Sequence, residues 1–260
     1  MQIPFFKYQG TGNDFVIVDQ FHESFLSVDD QETIQHLCNR RFGIGADGLI
    51  LLEPSDKNSF KMIYFNADGK EGSLCGNGAR CAVACSHDLS KFGRSGKFEA
   101  VDGTHSAKIM KDGSIELKMQ NLEAVEVGHG YYILNTGSPH YIAFVEDLSD
   151  LDIVDAGRAI RYADRFRESG INVNFVEEQK DAIIVGTYER GVEDETLSCG
   201  TGVTASALAH ALKNELNDKK IKVKTKGGDL SIKYKRTSAG FENIWLCGPA
   251  KRVFTGSIEV

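Results

Sequence analysis

Proline is scarce in this 260-residue chain, with 4 residues, and neither charge sign gathers into a long block. Beside 27 glycines spread along the chain, 41% hydrophobic and 26% charged residues, that scarcity excludes collagen-like and low-complexity chains and leaves an ordinary globular composition. A basic stripe is missing too. The 30 Lys and Arg residues against 37 Asp and Glu give a net charge of −7, which argues against nucleic acid as a partner, since phosphate binding needs such a stripe. Residues 1–15 mix Pro4, Lys7, Asn13 and Asp14 among apolar residues, so no signal-peptide core and no membrane span is read there. A cytoplasmic protein without a membrane partner is expected. In that reducing setting six cysteines stay thiols unless chemistry or metal claims them. No second cysteine or histidine pair stands at zinc-finger spacing to complete a set with Cys81 and Cys85, so no metal site is expected. Cys81 and Cys85, four apart on one helix face, read as core, as do the lone Cys38 and Cys247.

At about 150 residues per domain the length suits two modest domains or one large one. What is present decides between them. Leu74-Cys75-Gly76-Asn77-Gly78 and Ser198-Cys199-Gly200-Thr201-Gly202 share cysteine, glycine, any, glycine, and 199 − 75 = 124. The same offset pairs Tyr64 with Tyr188, Glu71 with Glu195, and Arg41-Phe42 with Arg165-Phe166. An offset of 125 pairs Thr11-Gly12-Asn13 with Thr136-Gly137-Ser138. The order and near-constant spacing of these matches indicate an internal duplication. The expected architecture is therefore α/β of the α+β kind: two pseudo-symmetric domains, 1–120 and 121–250, each a mostly antiparallel sheet or barrel wrapped around a central helix.

Short apolar runs at 15–18, 49–52, 61–65, 142–145, 173–176 and 183–185 predict strands, as does the alternating segment 114–119. In 219–224, lysines alternate with apolar residues, predicting a strand with one solvated face. Helices are predicted at 29–40, 79–89, 153–166 and 203–212. The runs after the two glycine motifs are small or apolar nearly all round, as in helices buried centrally. Gly43, Gly45 and Gly48 have the spacing of a dinucleotide fingerprint, but a helix precedes them and a strand follows, the reverse of what that motif needs.

Cys75 and Cys199 then stand at equivalent helix starts. The leading N–H groups of a helix lack internal partners and carry the positive end of its dipole, so they bind anions and stabilise a thiolate. A thiol there titrates below its usual value of about 8.5. Two such thiols around one anionic ligand lying between the domains suit removal of a proton from one face of a carbon and its return to the other. A dithiol redox protein, with Cys75 and Cys199 forming a reversible bond, and a non-catalytic amino-acid-binding protein are the readings from other classes.

The segments Gly10-Thr11-Gly12-Asn13-Asp14-Phe15, Asn66-Ala67-Asp68-Gly69, Cys75 to Cys81, Gly137-Ser138-Pro139-His140, Tyr188-Glu189-Arg190-Gly191, Glu195 to Gly202 and Gly248-Pro249-Ala250 together resemble the diaminopimelate epimerase family, over nearly the whole chain. The resemblance implies that the last strand, about 251–260, returns to the first domain. It also implies interconversion of LL- and meso-diaminopimelate for lysine and peptidoglycan precursor synthesis, in a homodimer with no cofactor. By motif match Cys75 and Cys199 are the acid/base pair, and backbone N–H groups of Gly76, Asn77, Gly200 and Thr201 hold the reacting carboxylate. Asn13, Asn66, Asn172 and Arg190 grip the substrate, with Arg190 a fork for the distal carboxylate. Glu189 and His140 tune the thiols or meet the ammonium group. Two positions depart from the family: Ser138 stands where asparagine is usual and Gly48 where glutamine is common, thinning the polar contacts to substrate. Proline or hydroxyproline epimerisation on the same scaffold is the nearest rival, opposed by Arg190 and the asparagines, which suit a second charged end.

Overall fold

The first strand, β1 (Gln2–Gly10), turns Ile3, Phe5 and Tyr8 inward and leaves Gln2 and Pro4 to solvent. Gly10 and Asn13 pair across a two-residue turn in which Thr11 and Gly12 both have positive φ, 51° and 85°, the hairpin geometry that matches strand twist. The computed structural model describes residues 1–260. They group into two units, residues 1–117 with 248–260, and residues 118–247.

The first unit continues through β2 (Asn13–Asp19), α1 (Gln31–Cys38), β3 (Gly48–Glu53), β4 (Lys61–Asn66), α2 (Gly76–Asp88), β5 (Ser95–Ala100), β6 (Gly103–Ile109) and β7 (Ile115–Lys118). Strand β2 is antiparallel to β1 and parallel to β3; β3 is antiparallel to β4, β4 parallel to β5, and β5, β6 and β7 form an antiparallel meander. The second unit holds β8 (Val125–Val127), β9 (Tyr131–Asn135), β10 (Pro139–Val145), α3 (Ile153–Arg161), β11 (Asn172–Glu178), β12 (Ile183–Glu189), β13 (Asp194–Thr196), α4 (Gly200–Lys213), β14 (Lys220–Thr225), β15 (Gly228–Thr237) and β16 (Gly240–Gly248). Here β9 is antiparallel to β8 and β10, β10 parallel to β11, β11 antiparallel to β12, β12 parallel to β14, and β14, β15 and β16 antiparallel. The last strand, β17 (Lys251–Glu259), lies antiparallel to β1, as β8 lies against β9. Strand for strand, the two units repeat one order and one set of directions, with β13 an addition on β12.

Why Phe15, Val16, Ile17 and Val18 do not alternate is now clear: all four are fully buried because the sheet is covered on both faces. Val16, Val18, Leu49 and Leu51 pack with Ile34 and Leu37 of α1, while Phe15 and Ile50 lie beneath Gly78 of α2. In the second unit Val173 and Phe175 pack with Ile153 of α3, and Ile142 and Val176 with Val203, Ala207 and Leu208 of α4. Small residues along α4 let the strands close in on it; burying Leu208 alone contributes roughly 1.5–3 kcal/mol. In β14, Ile221 and Val223 are buried between exposed lysines, the solvated-face pattern read above. No helix is long and apolar enough to cross a membrane.

Element ends differ from expectation where side chains compete for the backbone. The helix predicted over 29–40 spans Gln31–Cys38, since Asn39 is extended and its side-chain oxygen takes the N–H groups of Arg41 and Phe42. The one predicted over 153–166 stops at Arg161; the chain then descends through tighter turns, with Ala163 and Phe166 bonded three residues back, to Gly170 at φ 70°. Helices α2 and α4 begin three residues earlier than predicted, taking in the glycines.

Candidate active site

Cys75 and Cys199 are the N-cap residues of α2 and α4. Both have extended backbones, and neither side chain caps its helix. The first i to i−4 bonds run from Ala79 to Cys75 and from Val203 to Cys199, each 2.8 Å. The N–H groups of Gly76, Asn77 and Gly78, and of Gly200, Thr201 and Gly202, therefore lie outside the helical ladders, where the positive dipole ends favour an anion. Cys75 is half-buried and Cys199 is 9% exposed. Desolvation pushes the buried thiols Cys38 and Cys85 up to about 12 and Cys81 higher still, which leaves them inert as bases.

Amides surround Cys75. Its Sγ donates to Asn13 Oδ1 at 3.6 Å, and Asn77 Nδ2 donates to the same oxygen at 3.4 Å. Arg80, fully buried one turn into α2, donates from Nη2 to Asn77 Oδ1 (2.9 Å) and Thr11 Oγ1 (3.2 Å), from Nη1 to the Gly76 carbonyl (3.3 Å) and from Nε to that of Pro249 (3.3 Å). One guanidinium thus ties the β1–β2 turn, the helix start and the Gly248-Pro249-Ala250 segment together. Asn66, exposed at the end of β4, accepts from Tyr64 Oη at 3.1 Å and stands apart from these bonds. A Cβ on Gly48 would lie 2.5 Å from the Phe65 carbonyl and 2.6 Å from the Tyr64 ring, so Tyr64 fills the space that a side chain at 48 would need.

Around Cys199 the partners differ. Its Sγ lies 3.4 Å from Thr201 Oγ1, which lies 2.9 Å from Nε2 of the fully buried His140. His140 Nδ1 meets Asn174 Oδ1 at 2.8 Å, and Asn174 Nδ2 donates to Thr187 Oγ1 at 2.7 Å. Burial holds the imidazole neutral, lowering its pKa to about 4. With Asn174 presenting an acceptor, Nδ1 carries the proton and Nε2 accepts from Thr201, whose oxygen is left to accept the Cys199 S–H. Thr136 Oγ1 donates to the Thr201 carbonyl at 2.8 Å, fixing the helix start from the β9–β10 turn.

Asn172, 3% exposed, donates to Ser138 Oγ (2.8 Å) and the Pro139 carbonyl (3.2 Å) and accepts from the Arg190 backbone N–H (2.8 Å). Exposed Arg190 donates to the Ser169 carbonyl (2.9 Å) and to Ser138 Oγ (3.4 Å). Ser138 is therefore part of the Asn172–Arg190 group. Half-buried Glu189 precedes Arg190 at the end of β12, opposite Asp194.

Sequence reasoning brought out Asn13 and Asn77 beside Cys75, Thr201 and His140 beside Cys199, and Asn172 with Arg190. It missed Arg80, Thr11, Thr136, Tyr64 and Asn174, although the threonines were visible as a repeated Thr-Gly pair.

A family model described as diaminopimelate epimerase matches residues 5–125 and 132–253, one span for each repeat. The chain belongs to the diaminopimelate epimerase family. It is 45% identical over 254 residues to a diaminopimelate epimerase from Flavobacterium psychrophilum, covering 97% of this chain and 99% of that one. A diaminopimelate epimerase from Aquifex aeolicus is 38% identical over 276 residues, covering 98% and 97%. Among solved structures, a phenazine biosynthesis protein of the PhzF family from Bacillus anthracis superposes with a TM-score of 0.80 at 14% identity, covering all of both chains. A hydroxyproline epimerase from Agrobacterium vitis, solved with trans-4-hydroxy-L-proline, gives 0.68 at 13%, covering 99% and 92%. These two share the fold of the diaminopimelate epimerase family.

Proposed function

We propose that this chain interconverts LL- and meso-diaminopimelate without a cofactor, by two-base chemistry with Cys75 and Cys199. One thiolate takes the α-proton; the electron pair left on carbon spreads into the α-carboxylate; the other thiol delivers its proton to the opposite face. The cysteines finish with their roles exchanged, ready for the reverse direction. Membership of the diaminopimelate epimerase family supports the reaction, and isomerisation in lysine biosynthesis follows from it.

The observation that carries the residue roles is that both cysteines are the N-cap residues of helices whose leading N–H groups, on Gly76, Asn77, Gly200 and Thr201, lie outside the helical ladder at the positive dipole end. Such preorganised donors stabilise charge as it develops on the carboxylate. Arg190, braced by Ser138 and next to Asn172, is the fork for the distal carboxylate, and Asn13, Asn66 and Glu189 offer oxygen acceptors to ammonium groups. His140 acts on Cys199 through Thr201 as a neutral acceptor. The same reading includes a homodimer in the cytoplasm, which sedimentation tests as a species of twice 28.6 kDa.

Reduced protein supplied with LL-diaminopimelate should form the meso isomer, followed by chiral chromatography. Cys75→Ala and Cys199→Ala should each lower turnover by about a thousandfold or more. Full turnover in either variant would remove that thiol from the mechanism, and inactivity of the unaltered protein would remove the substrate assignment.

A further inference from the structure

An unbroken donor-to-acceptor chain crosses the front of Cys75. It starts at Arg80, whose guanidinium can only donate, and passes from Nη2 to Asn77 Oδ1 at 2.9 Å. Asn77 Nδ2 donates to Asn13 Oδ1 at 3.4 Å, and Asn13 Nδ2 to Asp47 Oδ2 at 2.6 Å. It ends there, because an ionised carboxylate can only accept. Either amide turned over would set donor against donor or acceptor against acceptor at both of its contacts. The charged ends therefore fix both amides, and the side of Asn13 that faces Cys75 is its oxygen, 3.6 Å from Sγ.

Asp47 is itself held. Its Oδ2 also accepts the Asp14 backbone N–H at 3.1 Å, its Oδ1 pairs with Arg40 at 2.6 Å, and Arg40 grips Asp14 with both terminal nitrogens, at 3.1 and 2.6 Å. Asp14 pairs in turn with the buried Lys7, which donates to the Gly45 carbonyl. The Arg40–Asp47 contact is partly exposed and by itself adds little stability. Its consequence is directional: it aims one carboxylate at one amide.

We infer that Asp47 is a positioning residue, which locks the Asn13 amide with its oxygen toward Cys75 and so favours the protonated form of that thiol at rest. This builds on the acid/base role proposed for Cys75. A carbonyl oxygen accepts from S–H and repels S⁻, opposing the helix dipole and the Arg80 charge, both of which favour the thiolate. Cys75 thereby begins as the acid in one direction and Asn13 offers substrate an acceptor, suited to an ammonium group. The second unit has no such device: the residue 124 positions after Asp47 is Ile171.

The test reads Cys75 without substrate, so it stands or falls separately from the epimerase reading. In a Cys199→Ala background the remaining cysteines, Cys38, Cys81, Cys85 and Cys247, are buried, and the rate of Cys75 alkylation by iodoacetamide against pH reports its thiolate fraction. The other charged groups on elements around α2 stay constant: Lys7 on β1, Asp14 and Asp19 at the two ends of β2, Arg80 and His87 on the helix, Lys251 and Glu259 at the two ends of β17, and the Glu53–Lys61 pair at the far ends of β3 and β4. Arg252 on β17 lies toward Asp88 at the other end of α2, and Tyr64 on β4 bonds to Asn66.

Asp47→Ala should move the alkylation midpoint down by about one pH unit, a roughly tenfold gain in thiolate at a given pH below it. Asp47→Ser, too short to reach Asn13, should do the same and serves if the alanine variant does not fold. Asp47→Asn loses the same charge but keeps an oxygen that Asn13 and Asp14 can both donate to, so its midpoint should stay with the parent. Superimposable profiles for parent, alanine and serine variants would overturn the inference. So would an asparagine variant that shifts with alanine, since the effect would then be charge alone.

Discussion

The two thiol sites share a backbone plan and almost none of their side-chain partners. Where α2 rests Gly78 on Phe15 and Ile50, α4 rests Gly202 on His140 and Asn174, and each pair occupies equivalent strand positions. Where Arg80 donates to the Gly76 carbonyl, Thr204 donates to that of Gly200. Cys75 is approached by amides strung between a guanidinium and a carboxylate, and Cys199 by a hydroxyl backed by a neutral, buried imidazole. Duplication preserved what places a thiol on a helix start, namely the turn, the parallel pair of strands and the glycines. The surrounding side chains were free to diverge. A two-base reaction needs such divergence, because its two bases must begin in different protonation states.

The largest effect that separates the halves should come from removing the buried cation of the first. Arg80→Met removes a charged donor from Thr11, Asn77, Gly76 and Pro249 and should cost about 4 kcal/mol in urea denaturation, whereas Thr204→Val should cost about 1. Equal costs would mean that Arg80 does not organise its half. Next come the glycines. A Cβ on Gly202 would lie 2.5 Å from Asn174 Nδ2 and 3.2 Å from His140 Cε1, whereas one on Gly78 would meet Ile50 and Phe15 at 3.3 Å. Gly202→Ala should therefore destabilise by about 2 kcal/mol and slow turnover through the displaced imidazole. Gly78→Ala, whose neighbours need to yield only slightly, should stay within about 0.5 kcal/mol of the parent.

A pH dependence also belongs to the second half. Burial makes the folded chain protonate His140 only near pH 4, against the ordinary value of 6.5 in the unfolded chain. Stability from the neutral ring is thus fully present above about pH 6.5 and is lost as pH falls through that window, at about 1.4 kcal/mol per pH unit. The Asp14 pairs add to the loss only at lower pH, because Lys7 and Arg40 hold that carboxyl below its ordinary 3.8. His140→Gln should flatten the slope between pH 6.5 and 4.5 in urea titrations. A variant as steep as the parent would show that His140 is not the group responsible.

Much of this was legible in the chain itself, because a helix start with Cys-Gly-x-Gly is a local pattern and its recurrence 124 residues later makes coincidence hard to sustain. The small residues after each motif announced helices buried all round, and the pairing of Thr11-Gly12 with Thr136-Gly137 marked the two turns that lie against them. Asp47 and Arg80 were silent for a physical reason. Each acts across the fold, through Asn13 and Asn77, and neither has a counterpart of its own type, since Ile171 and Thr204 stand at the repeated positions. At Gly48 the sequence showed only a missing side chain; that Tyr64, noted there as one of the repeated pairs, fills the volume beside it becomes visible only in the fold. Ser138, set aside as a departure, proves to join Asn172 to Arg190.

The central claim is that two thiols, one from each repeat, share a single proton-transfer cycle. Early in the conversion of LL-diaminopimelate in deuterated water, before the reverse reaction matters, the isotope content of both isomers tests it most directly. Two bases predict meso product carrying one α-deuterium while the remaining LL substrate keeps its proton. Deuterium entering substrate and product at the same rate would mean that one base serves both faces, and would contradict the account.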